Sequence, residues 1–166
     1  MKKPQATLFT LIFCLMLALL SPLVEELEAS TKMPEFTLQQ VPGKDVLSST
    51  SFEGKVLYLT FFATWCPPCV QEVPVLVKLQ NELESSGFSV IGLSVDQGGS
   101  SAVAKFAQKH AVNYPLLMAG SKTTMDFGGV YGIPVGFLVN RSGNVVKKYI
   151  GYVQHDVLEK DIRGLL

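Results

Sequence analysis

Three kinds of hydrophobic pattern run along this chain. From Ala6 to Leu20 the residues are uncharged and apolar on every side of a helical projection, with Lys2 and Lys3 before them and Ser21-Pro22 after. Two later runs, Lys55 to Ala63 and Phe88 to Val95, are short and nearly continuous, rich in β-branched and aromatic residues, as strands buried on both faces are. Between them, Pro67 to Ser86 spaces its apolar residues for a helix. At about 100° per residue, Cys69, Val70, Val73, Leu76, Val77, Leu79 and Leu83 share one half of the cylinder, and Gly87 follows as a stop. A strand, helix and strand at this spacing make a βαβ unit with parallel strands. Upstream, Glu35 to Gln39 and Asp45 to Leu47 flank Pro42-Gly43 and predict an N-terminal β-hairpin. Beyond the unit come a helix over Ser101 to Ala111, the segment Tyr114-Pro115-Leu116-Leu117, and a short helical piece over Lys122 to Val130. Strands over Val135 to Asn140 and Val145 to Ile150 form an antiparallel hairpin through Arg141-Ser142-Gly143-Asn144. A helix over His155 to Leu165 closes the chain. With no repeat and no low-complexity linker, residues 31–166 are expected to fold as one α/β domain.

The uncharged stretch near the start has a different purpose. A basic start followed by about 15 such residues is the layout of an export signal, and it falls short of the roughly 20 residues of a membrane span. Counting on through Leu23 and Val24 nearly reaches that length. Residues 1–30 are therefore read as an export signal or an N-terminal membrane anchor, with Ala29 and Ser30 as small residues for cleavage. The segment supplies much of the mean hydropathy of +0.30. Its Cys14 lacks the preceding small residues of a lipid-attachment signal. The expected location is periplasmic or otherwise extracytoplasmic, with membrane contact only through this segment, and a monomer is expected.

Charge narrows the function. With 14 basic and 14 acidic side chains, the chain has none of the basic footprint that nucleic-acid binding requires. Removing residues 1–30 takes Lys2, Lys3, Glu25, Glu26 and Glu28 and leaves the remainder near neutral. It also leaves two cysteines, Cys66 and Cys69, in Trp65-Cys66-Pro67-Pro68-Cys69 at the junction of strand and helix. A cysteine just before a helix faces free backbone N–H groups and the positive end of the dipole, which favour thiolate. Proline is accommodated in the first helical turn, and the two prolines stiffen the loop. Cys66 is thus read as the exposed nucleophile and Cys69, one turn further in, as the sheltered resolving thiol. Two bland readings stand beside this. A structural disulfide would close so short a loop that it restrains the unfolded chain very little. A zinc site would need two more ligands, and only His110 and His155 remain, both in predicted helices and read as surface residues. No metal and no cofactor is expected. Glu72 lies on the flank of the apolar arc, three residues after Cys69. Burial there would raise its pKa and suit it to exchange a proton with a thiol; the alternative is a solvated helix-surface glutamate, as Glu82 and Glu84 are read.

The stretch Gly54-Lys55-Val56 through Cys69, with Glu72 and Pro74, resembles the TlpA/ResA family of exported thiol-disulfide oxidoreductases in the thioredoxin superfamily. Met33-Pro34-Glu35-Phe36-Thr37-Leu38 and Ser94-Val95-Asp96 extend the likeness to about residues 33–165. The resemblance implies a thioredoxin-like fold, with a central mixed sheet flanked by helices. It implies that Gly132-Ile133-Pro134 is a cis-proline loop beside the cysteines, so that Trp65, Pro67, Pro68, Ile133 and Pro134 would contact substrate. It makes Glu72 the proton acceptor, since Thr60 stands where thioredoxin has a buried aspartate. Val135 and Gly136 depart from the threonine or serine that often follows the proline. The implied activity is reduction of protein disulfides through a Cys66–Cys69 redox-active pair, with an upstream thiol partner, such as a membrane electron donor, and the haem-binding CxxC motifs of apocytochrome c as one substrate. The alternatives are a protein thiol oxidase or isomerase using the same site, a thiol peroxidase, which Ala63 opposes where a threonine is needed, and a non-catalytic peptide-binding domain.

Overall fold

A computed structural model of the chain describes residues 31–166; the expected export segment, with Cys14, lies outside the described residues. The strands are β1 (Thr31–Lys32), β2 (Thr37–Val41), β3 (Val46–Ser48), β4 (Val56–Phe62), β5 (Phe88–Ser94), β6 (Leu116–Met118), β7 (Val135–Val139) and β8 (Asn144–Ile150). The helices are α1 (Pro67–Leu83), α2 (Ser100–Lys109), α3 (Ser121–Asp126) and α4 (His155–Arg163). Every residue of β4 and β5 is buried, as their unbroken apolar runs require. They pair in parallel from Val56↔Phe88 to Phe62↔Ser94, with α1 as the crossover. The sheet order is β1-β8-β7-β4-β5-β6-β2-β3. β6 also runs parallel to β5, whereas β7 and β8 pair antiparallel, so the sheet is mixed. β2 and β3 form the N-terminal hairpin.

Strand periodicity sends alternate residues of β4 into two cores. Val56, Tyr58 and Phe62 face Leu76, Leu79 and Leu83 of α1, Phe106 of α2 and Leu158 of α4. Leu57, Leu59 and Phe61 face the opposite side, among Phe36, Phe52, Phe127 and Phe137. Three differences from the sequence reading have local causes. β6 is three residues long, too short for a periodic signal, and exists because it fits between β5 and β2. β2 continues past Gln39 because Gln40 and Val41 pair with it. α3 stops at Asp126 because Gly128 and Gly129 both take positive φ, which turns the chain out of the helix.

The short β6 leaves a gap that a side chain fills. β6 pairs only with Gly92 to Ser94, where the Gly92 N–H donates to the Pro115 carbonyl at 2.9 Å. Two residues earlier on the same edge, the Val90 N–H donates instead to Oε1 of buried Gln80 on α1, at 2.8 Å. Removing that acceptor strands a buried donor, which costs about 1–3 kcal/mol. Gln80→Leu is therefore expected to lose about that much stability in urea denaturation, although it adds apolar volume.

Candidate active site

Cys66 is the N-cap of α1, in extended conformation (φ −92°, ψ 108°), with Pro67 and Pro68 in the first two helical positions. The two cysteines are joined in a disulfide with their Cα atoms 5.3 Å apart. The loop that presents them is clamped from the neighbouring strand. Thr64 donates from its backbone N–H to Asp96 Oδ2 (2.9 Å) and from its hydroxyl to Oδ1 (2.6 Å), and Ser94 Oγ donates to the same carboxylate. Across the site the Ile133–Pro134 peptide is cis, and the Ile133 carbonyl oxygen lies 3.8 Å from Cys66 Sγ. The structure therefore brings Trp65, Cys66, Pro67, Pro68, Cys69, Ile133 and Pro134 to one place. Trp65 is 69% exposed. Cys66 is not the exposed member expected from sequence: in this oxidised form it is 4% exposed and Cys69 2%. The Ile133 carbonyl lies over the Cys66 sulfur.

Glu72 sits deeper than the flank position predicted. It is 1% exposed, under β4. Tyr58 Oη donates to its Oε1 at 3.3 Å and Thr60 Oγ1 to its Oε2 at 3.2 Å, and the Val153 backbone N–H donates as well. Thr60 is flanked in register by Gly136 on β7 and Gly92 on β5; the space over Gly136 is taken by the Tyr58 phenol and that over Gly92 by Leu116, Phe62 and Tyr114. Burial drives the Glu72 pKa upward, the three donors pull it back, and the balance is about 7. The site thus combines a pair of sulfurs that can gain or lose two electrons with a nearby carboxyl able to hold or release a proton near neutrality.

Residues 28–166 match the Redoxin family. The chain belongs to that family. Among its relatives is the thiol-disulfide oxidoreductase ResA of Bacillus subtilis (strain 168), 28% identical over 134 residues, covering 81% of this chain and 74% of that protein. The ResA of Halalkalibacterium halodurans is 26% identical, with 80% and 74% covered. A crystal structure of a thiol:disulfide interchange protein of the thioredoxin family from Chlorobium tepidum TLS superposes with a TM-score of 0.76 at 33% identity, covering 82% of this chain and 96% of that one. The fold is thioredoxin-like, and this Redoxin protein is a thiol-disulfide oxidoreductase of the ResA type.

Several residues of this Redoxin site had no role assigned from the sequence. Tyr58 reaches it from within β4, and Asp96, met in the sequence only as part of the Ser94-Val95-Asp96 likeness, from just beyond β5. Tyr131, Ile150 and Tyr152 are exposed large apolar residues close in the chain or in strand pairing to the Ile133–Pro134 loop. Tyr131 is two residues before Ile133, Ile150 stands opposite Val135, and the Gly151 N–H donates to the Pro134 carbonyl at 2.9 Å. The two histidines lie elsewhere. His110 stacks on Phe106, with ring centroids 4.5 Å apart. His155 is no open surface residue: its side chain is only 17% exposed, because Glu82 of α1 approaches Nε2 at 3.6 Å while Asp156 and Glu159 approach Nδ1.

A folded Glu72 at about 7 stands above its ordinary 4.5, so between those values the folded state holds more proton than the unfolded one. Stability then falls as pH rises and levels off above about 7. Between pH 5 and 8 the oxidised wild-type protein is expected to lose about 2–3 kcal/mol that Glu72→Gln does not lose, measured by urea denaturation at both pH values. Parallel pH dependences in the two proteins would refute the burial argument.

Proposed function

We propose that this protein is an exported dithiol reductase of protein disulfides. The observation that carries the reading is the Cys66–Cys69 pair at the start of α1, facing the Ile133 carbonyl and backed by a buried carboxyl. In the reduced protein the helix N-terminus favours Cys66 as thiolate. That thiolate attacks a substrate disulfide, forms a mixed disulfide and expels one substrate thiolate. Cys69 then gives its proton to the Glu72 carboxylate, and its sulfur attacks Cys66 Sγ. The second substrate thiolate leaves and the Cys66–Cys69 bond closes, so two electrons pass from the dithiol to the substrate. Near 7, Glu72 can accept that proton and release it again.

A thiol redox partner upstream, such as a membrane electron donor, returns the pair to the dithiol. Trp65, Pro67, Pro68, Ile133 and Pro134 take the segment carrying the substrate cysteine, and the exposed Tyr131, Ile150 and Tyr152 suit one with apolar neighbours. The likeness to ResA supports the haem-binding CxxC of apocytochrome c as a substrate. Export and an extracytoplasmic location rest on the pattern of residues 1–30. Among the described residues no helix is long and apolar enough to cross a membrane.

In an insulin-reduction assay Cys66→Ser and Cys69→Ser are each expected to abolish turnover, with Cys69→Ser accumulating a mixed disulfide visible by mass spectrometry. Turnover retained in both would end the reading. The reduction potential decides direction: a value near about −270 mV marks a reductase, and one near about −120 mV an oxidase.

A further inference from the structure

We propose that Tyr58 is a positioning residue for Glu72, placed by the space that Gly136 leaves open. The Tyr58 side chain is fully buried, so its hydroxyl needs a partner within the protein, and it donates to Glu72 Oε1 at 3.3 Å. On β7, the residue opposite Tyr58 is Leu138 and the residue opposite Thr60 is Gly136. The phenol leans diagonally onto the glycine. A Cβ at position 136 would fall on the Tyr58 hydroxyl oxygen and within 2.5 Å of Cζ. From the next strand Tyr149 braces the ring edge-on, with centroids 5.8 Å apart, while its own hydroxyl is committed to Asp161 at 2.7 Å. The Tyr58 hydroxyl is therefore held toward the carboxylate from both sides.

The groups that face Glu72 show why this bond has a functional consequence. They are Tyr58 and Thr60 of β4 and the Val153 N–H after β8, with the phenol of Tyr114 beyond and that of Tyr149 behind Tyr58. Cys69 lies one turn before it on α1. Among the described residues that shift its proton affinity none is a cation. Neutral donors alone offset burial, so each one sets where the carboxyl titrates. The consequence for catalysis rests on the reading that Glu72 takes the Cys69 proton.

The test titrates Glu72 by carboxyl-carbon NMR in the oxidised full chain and follows the pH profile of insulin reduction, in wild type, Tyr58→Phe, Gly136→Ala, the double variant and Glu72→Gln. Tyr58→Phe keeps the ring and deletes the donor, and is expected to raise the Glu72 midpoint by about one pH unit or more. The acidic limb of turnover should rise with it. Gly136→Ala should move the midpoint in the same direction, and the double variant no further than Tyr58→Phe, because both act through one hydroxyl. An unchanged midpoint in Tyr58→Phe overturns the proposal, as does a Gly136→Ala shift that adds in full. Where Gly136→Ala does not fold, Tyr58→Phe decides alone. An acidic limb that survives Glu72→Gln removes the proton-acceptor reading, while the NMR midpoint still decides whether Tyr58 positions the carboxyl.

Discussion

Much of this site follows from placing one carboxyl group under the central strand. Moving an ionised carboxylate out of water costs several kcal/mol, and a hydrogen bond to a charged group returns about 1.5–3. Glu72 receives donors from Tyr58, Thr60 and Val153 and still titrates about 2.5 units above its ordinary value of 4.5, a residual cost of about 3 kcal/mol. The neighbouring sequence is shaped by that compromise. Thr60 is the polar residue of an otherwise apolar strand, and its register partners on both sides are glycines. A side chain at Gly136 would meet the Tyr58 hydroxyl, and one at Gly92 would meet Leu116 and Phe62. Exposed pairs such as Lys78–Glu82 and Lys122–Asp126 contribute under about 1 kcal/mol each.

The same constraint explains why one helix carries both the sulfurs and the carboxyl. Residues three apart lie on one face of a helix, so Cys69 and Glu72 enter the protein together. Cys66, at the cap, stays at the boundary where β4 ends. Asp96 fixes that boundary from β5, and the Ile133–Pro134 loop closes it from β7. The sulfurs therefore sit at the carboxyl ends of two parallel strands, where the chain must leave the sheet and backbone groups are free to meet a partner.

What could be read from sequence follows from how each feature is encoded. β4, β5 and α1 announce themselves because periodicity or an unbroken apolar run is a local property. The cysteines were legible from their place before a helix, and Glu72 from its angle to Cys69. β6 was not legible: three residues carry no period, and Leu116–Met118 is a strand only because β5 and β2 lie beside it. Gln80 reads as a polar residue on a helix until the edge of β5 is seen to need an acceptor. Tyr58 and Gly136 are 78 positions apart in the chain, and only register brings the phenol over the glycine. The expected exposure of Cys66 failed for another reason, since the Ile133 carbonyl that lies over its sulfur comes from a loop 67 positions away.

Two carboxylates in this protein show what the Glu72 environment achieves. Asp161 accepts from Lys147 Nζ at 2.6 Å and from Tyr149 Oη at 2.7 Å, and the cation and the phenol together hold its carboxyl below the usual range. An aspartate so placed favours its charged form, and it ties β8 to α4. Glu72 has hydroxyl donors and a backbone N–H but no cation, in a place water does not reach, and so lies between its two protonation states at neutral pH. Replacing Thr60 or Tyr58 by a lysine would satisfy the carboxylate better and stabilise it in one state. The neutral donors leave it undecided, as the proton acceptor proposed for Cys69 has to be.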